Sequence, residues 1–485
     1  MTHMTSRTRY PSHSTLSTGI RLSAIALAAF LAACTSLPPP NGSPATPIAP
    51  TQWTAGQATG QSPATDLTSW WDRFSDAQLT ALVGQALQHN TSVLSAQAAL
   101  RQARAQTDVQ QAGLRPTLGA SGSAQRSQSG NNSGSNRFQL GFDASWEPDV
   151  FNGQRSAIDA SEADAQASAA SLSNVQVSLA AEVAANYINL RGQQARLVIA
   201  QNNLRAQQET LQITRWRAQA GLASSLDVEQ SITATEQTRA QLPALQASAS
   251  QAMNALAVLS GQTPGALNAQ LSAASAIPQA PTMLALAFPA ETLRQRPDVR
   301  AAELRINAAL ARVAVADAAR YPSFNLGGSL GLSALTLGTL SNGASLVKSL
   351  LASVSVPLFD GGARAAQLRS QEAALEQTRA AYQAAVLTAL QDVENALVAL
   401  RGDSERLLRL ESAATAAVNA ELLARQRYQS GLIDFATLLT TQRTLLSAQD
   451  SVASAQASLS TDHVVLYKAL GGGWLPTPAS SSTRP

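Results

Sequence analysis

The chain of 485 residues is 45% hydrophobic, 13% charged and 4% aromatic, with 34 basic and 31 acidic residues. So many apolar residues with so few charges exclude an intrinsically disordered chain, and no basic surface is concentrated enough to bind nucleic acid. Arg7, Arg9 and Arg21 account for the whole net charge of +3, because the other 31 basic residues balance the 31 acidic ones; the excess belongs to a targeting segment.

Residues 1–33 read as a signal peptide: an arginine-bearing start, an apolar run over 22–31, then small residues. That run is too short for a membrane-spanning helix, which needs about 20 apolar residues. Leu31-Ala32-Ala33-Cys34 resembles the lipobox of bacterial lipoproteins, and Cys34 is the only cysteine. The resemblance implies cleavage before Cys34, acyl chains on its sulfur and new amino group, and, with Thr35 following, delivery to the outer membrane. A single cysteine also rules out an intramolecular disulfide. Residues 34–66, rich in Pro, Ser, Thr and Gly, read as a tether.

Beyond the tether the sequence repeats itself. Leu190-Arg191-Gly192 recurs as Leu400-Arg401-Gly402, Gly221-Leu222 as Gly431-Leu432, Phe151-Asn152-Gly153 as Phe359-Asp360-Gly361, and Pro116 as Pro322. The near-constant spacing marks a tandem duplication of units of about 200 residues. The first unit is assigned to 67–265 and the second to 283–474, with a linker at 266–282 and a flexible tail at 475–485.

Each unit opens with a helical stretch, over 76–112 and 298–319. Alternating apolar and small polar residues then predict β-hairpins over 116–148 and 322–358. Segments of about 9–11 residues suit tilted membrane-spanning strands, and the polar set is Ser, Gly, Asn and Gln rather than charged. Long helical hairpins follow, over 155–259 and 363–470, turning at Gly221 and Gly431. Their Ala- and Ser-rich faces allow close helix packing. In lipid a sheet must close on itself, and four strands leave two open edges. Two copies would supply eight strands and three copies twelve; twelve leave a wider aqueous bore, but sequence physics does not choose.

Trp70-Trp71 occurs with Phe74, Asp76, Leu79 and Leu82; Arg296-Pro297-Asp298-Val299 opens the second unit, Phe359-Asp360-Gly361-Gly362 closes its hairpin, and Arg427-Tyr428 stands with Gly431-Leu432-Ile433-Asp434-Phe435 at the second helical tip. On these motifs the anchored, duplicated hairpin unit resembles the outer-membrane efflux channels of the TolC and OprM type, particularly the NodT-like lipoprotein branch. It implies a mixed α and β membrane protein. A homotrimer would form a 12-stranded transmembrane β-barrel, four strands per chain, continued by a long periplasmic α-helical barrel. It implies a passive conduit for drugs or toxic solutes in a tripartite efflux system, without enzymatic chemistry or cofactor. The partners implied are a periplasmic adaptor and an inner-membrane pump.

The resemblance further implies that the helical tips, at Arg217, Gly221, Leu222, Arg427, Gly431 and Leu432, contact the adaptor. A constriction is expected near Asp227, Asp434, Thr437 and Thr440. Relatives carry a further acid in the stretch occupied here by threonines, so a weaker or differently placed acidic gate is expected. Asp227 and Asp434 also suit helix N-termini, where the dipole favours acids. Gly327-x-Ser329-x-Gly331 matches the nucleophile-elbow spacing but lies in an alternating segment rather than a strand-to-helix turn, and no Cys/His cluster suggests a metal. A lipid-anchored periplasmic coiled-coil protein and an anchored hydrolase are the competing readings.

Overall fold

The structure, a computed structural model, describes residues 53–54, 67–130, 133–281 and 296–474. Cys34, the signal peptide, most of the tether, the end of the linker, the start of the second unit and the tail lie outside the described residues. Among the described residues, seven long helices and four strands follow in chain order: α1 (Ala77–His89), α2 (Thr91–Ala112), β1 (Thr117–Ser127), β2 (Ser135–Trp146), α3 (Gly153–Gln219), α4 (Ser225–Leu259), α5 (Pro297–Ala318), β3 (Ser323–Ala334), β4 (Leu346–Ser355), α6 (Ala363–Gln429) and α7 (Phe435–Ala469). Short helical turns supplement them, including one over Trp70–Phe74.

The duplication persists at the level of elements. α3 and α6 each run 67 residues, about 100 Å at 1.5 Å per residue, and α4 and α7 each run 35. The helical stretch expected over 76–112 divides at Asn90. This side chain accepts from the Ser92 amide at 2.8 Å, capping α2, and donates to the Leu259 carbonyl at 2.9 Å. An asparagine that can satisfy an orphan helix donor favours a new start over continuation.

The four strands form one antiparallel sheet in the order β1-β2-β3-β4. Its register joins the hairpins of the two units across β2 and β3, with Leu140 opposite Leu332 and Phe142 opposite Leu330. Alternation then sorts the faces. Leu118, Leu140, Phe142, Leu330 and Leu350 share one face, and Ser121, Gln139, Ser329 and Ser349 share the other. Polar residues on the second face bond across strands: Ser121 donates to Asp143 at 2.7 Å, and Ser329 lies 2.7 Å from Ser349. Ser329 therefore sits inside β3, away from any strand-to-helix turn. Among the described residues no helix is long and apolar enough to cross a membrane.

Where strands give way to helices, α3 packs against α2, α4, α5 and α7, and α6 against α5 and α7. The α3–α7 approach is close at Gly192, where an added Cβ would meet the Ala457 Cβ at 3.0 Å. A core of Trp70, Leu79, Leu82, Tyr187, Leu256 and Tyr467 wedges α1 against α3, α4 and α7. Trp53, in the tether, packs on Val393, Leu397 and Leu466, and the Thr54 amide donates to Glu394 at 2.7 Å. Buried arginines brace this middle region. Arg191 donates to Gln78, Gln194, Tyr187 and the Ala273 carbonyl. Arg296 joins Asp298 and Asp392 at 2.7 and 3.0 Å and reaches the Ala469 carbonyl at 3.1 Å.

Candidate functional site

Both helical hairpins turn through the same local chemistry. In the first, the Leu222 amide donates to the Arg217 carbonyl at 2.7 Å and the Gly221 amide to Ala218 at 3.0 Å. In the second, Leu432 donates to Arg427 at 2.8 Å and Gly431 to Tyr428 at 3.0 Å. This pair of bonds closes a helix C-terminus when the residue after the cap is left-handed, a conformation that favours glycine. Gly221 and Gly431 have φ of +72° and +74°. The turns push Leu222 and Leu432 outward, with 72% and 73% of their surfaces exposed.

The acids expected near a constriction have local partners. Asp227 forms a capping box with Ser224, accepting from its amide at 3.0 Å and its hydroxyl at 2.8 Å. Asp434 accepts from the Thr437 amide at 2.9 Å, and hydrogen bonding from Thr437 holds its carboxyl below the usual carboxylate range. Thr437 and Thr440 are exposed; the Thr440 hydroxyl donates to the Ala436 carbonyl at 2.8 Å, within its own helix.

The two tips are equivalent in sequence but not in contacts. Arg217 reaches across to the second tip, its guanidinium 4.6 Å from the centroid of the Tyr428 ring and donating to the Tyr428 carbonyl at 2.6 Å. Thr214, fully buried, lies 3.3 Å from the Tyr428 hydroxyl, and Phe435 meets the Tyr428 ring edge-on. Arg427, the counterpart of Arg217, is exposed. Motif spacing marked Arg217 and Arg427 alike and missed Thr214 and Phe435 as members of this contact. The discriminating signal lay in the repeat itself, because Tyr428 stands where the first unit has Ala218.

Higher up, the bidentate Arg196–Asp450 pair, at 2.6 and 3.1 Å, ties α3 to α7. The outer stave α6 differs from its twin: 10 of its residues are buried against 24 in α3. Leu387, Val398, Leu408 and Leu423 on α6 are more than half exposed. One long helix thus presents apolar side chains that no other described residue covers.

The family model for the outer membrane efflux protein matches residues 82–262 and 288–472. Outer membrane protein OprJ of Pseudomonas aeruginosa is 32% identical over 472 residues, covering 93% of this chain and 96% of its own. The pyoverdine export outer membrane protein OpmQ of the same organism is also 32% identical, covering 93% and 97%. The solved structure of the outer-membrane channel OprN superposes with a TM-score of 0.85 at 36% identity, covering 91% of this chain and all of that one.

Proposed function

This chain belongs to the outer membrane efflux protein family, and we propose that three copies close a twelve-stranded barrel continued by a helical tube, through which small solutes pass outward. It is the outer-membrane channel component of an efflux system. The observation that carries the trimeric reading is the sheet: β1 and β4 each have a neighbour on one side alone, and in lipid an open strand edge is not tolerated. The uncovered apolar side of α6 supports the same closure. Two copies would give eight strands, whose interior side chains fill; three leave a bore lined by the Ser, Gln and Gly face.

The relatives' names include pyoverdine export and toluene efflux, so the cargo assigned here is a class of small drugs and toxic solutes. An adaptor would seat on the exposed Leu222 and Leu432 at the tips, and an inner-membrane pump would supply the driving force. Thr437 and Thr440 near the turn favour a constriction weaker in cation binding than an acidic ring. Acylation of Cys34 would add a second hold on the outer membrane, with Trp53 fastening the tether to α6 and α7.

Reconstitution of the mature protein into planar bilayers, with mass measurement in detergent, tests this reading. Trimers with discrete conductance are expected. A monodisperse, water-soluble monomer without conductance would overturn it.

A further inference from the structure

The apolar face of the sheet carries two charged side chains, Arg126 on β1 and Lys348 on β4; every other position on that face within the four strands is apolar, Gly or Asn136. The choice of residue is itself informative, since the chain has 34 basic residues and Lys348 is one of two lysines. Both cations sit at the end of the sheet away from the helices. Arg126 is the penultimate residue of β1, and Lys348 is the third of β4. No ion pair joins either to another described residue. A charge facing lipid is tolerated near the interface, where a long side chain extends its head toward the polar layer.

These residues occupy opposite edges of the sheet, so closure of the barrel decides whether they meet. Within one copy, Ala120, Phe142, Leu330 and Lys348 lie in one straight row across the strands. Twelve strands about 4.8 Å apart, tilted by about 40°, bring that row back displaced by roughly 15 residues, or about five per copy. Inward–outward alternation restricts the step to an even number, roughly four or six. Taken in one direction, Lys348 faces Ala124 or Arg126 of the next copy. The other direction would set it opposite residues that precede β1, leaving the edges unpaired. Arg126 of the next copy is therefore the direct or diagonal neighbour of Lys348 on the lipid-facing side.

Two like charges at such positions repel unless an anion lies between them. We infer that Lys348 of one copy and Arg126 of the next form, at each barrel seam, a site for the phosphate of an outer-leaflet lipid headgroup. Guanidinium and ammonium groups both bind phosphate, the first in bidentate fashion. The apolar rows of Leu330, Leu332 and Leu350 beneath would hold the acyl chains. The site is incomplete without the second copy, so a bound lipid would also staple the seam. It rests on the twelve-stranded closure proposed above.

The test uses the purified full-length protein in phosphatidylcholine nanodiscs with and without lipid A, a phosphorylated glycolipid. The temperature at which trimers dissociate on a denaturing gel is read, together with lipid retained in native mass spectra. Lipid A should raise the dissociation temperature of the wild type and remain bound. Arg126→Gln with Lys348→Gln should form conducting trimers that lose that rise and retain several-fold less lipid A. Inorganic phosphate should not substitute. Separately, Arg126→Cys with Lys348→Cys should cross-link between copies through a short bismaleimide. Conducting trimers whose lipid A retention ignores both substitutions, or whose cysteines fail to cross-link, would overturn this site and leave the channel reading intact. A wild type that never trimerises would overturn the channel reading and the site with it.

Discussion

The guanidinium of Arg217 lies over the ring of Tyr428, 4.6 Å from its centroid, and joins the two helical tips of one protomer. The same group donates to the Tyr428 carbonyl at 2.6 Å, so it holds ring and backbone together. Partly exposed contacts of this kind contribute about 1–2 kcal/mol, and 1.4 kcal/mol changes a ratio of states about tenfold. If the tips part when the channel opens, the contact favours the closed state. Arg217→Ala should raise the open fraction in single-channel recordings by about tenfold per protomer lock, and Arg427→Ala, whose parent side chain is exposed, should leave it near the wild-type value.

Exposed leucines at the two turns predict a separable defect. Leu222→Asp with Leu432→Asp should abolish drug resistance in a complemented deletion strain, while trimer yield and bilayer conductance stay at wild-type levels. Gly221→Ala should behave differently, costing about 1–2 kcal/mol because its left-handed backbone disfavours a Cβ. Its mark would be a lower melting temperature of the tip, read by hydrogen exchange.

Threonines at the second turn predict resistance to ionic block. Multivalent cations added from the helical side should leave wild-type conductance largely unchanged, and Thr440→Asp should confer block by setting three carboxylates around the axis. Strong block of the wild type at micromolar concentration would show that acids elsewhere already form the constriction.

Arg296 clamps α5 to α6 and to the end of α7 through Asp298, Asp392 and the Ala469 carbonyl. Burial alone would raise the Asp298 pKa, but hydrogen bonding and charge from Arg296 outweigh it and hold the carboxyl below its usual range. A depressed native pKa stabilises the fold above the unfolded value, about 3.9, and this contribution disappears as pH falls through the native value. Arg296→Met should cost about 2 kcal/mol at pH 7, since it leaves the buried Ala469 carbonyl and two partly exposed carboxylates without their donor. The deficit against wild type should shrink in thermal melts below the carboxylate range.

Asp462 on α7 predicts the opposite trend. Burial and the neighbouring Asp403 push its carboxyl up to about 6. A raised carboxyl pKa means that the folded state keeps the proton while the unfolded state releases it. The resulting destabilisation is absent below about 3.9, grows as pH rises to about 6, and is complete above it. Asp462→Asn should therefore raise the melting temperature at pH 7.5 and lose that advantage by about pH 4, with half of the change near pH 5, midway between the unfolded and folded values.

The positions of Pro116, Gly221, Pro322 and Gly431 and the periodicities between them make the strand and helix pattern legible in the sequence. Local rules suffice there: period two demands a strand, uninterrupted Ala, Gln and Leu demand a helix, and glycine demands the turn. The tandem repeat likewise follows from recurring motifs. Asn90 was less visible, because its role as a helix break depends on Leu259, 169 residues away, accepting its amide.

What repetition concealed was inequivalence. Arg217 and Arg427 read as the same residue in two copies of a unit, yet one reaches the opposite tip and the other faces outward. Their own immediate motifs do not separate them, since the difference arises where the end of α3 meets the end of α6, at a tyrosine that replaces Ala218. The sheet order that joins β2 to β3, and so leaves Arg126 and Lys348 on opposite free edges, is also a product of how the two units fold together. Sequence determined the elements through backbone geometry and hydrophobic period. Tertiary structure alone decided which equivalent side chains became neighbours, because contact energies depend on distances that chain spacing does not encode.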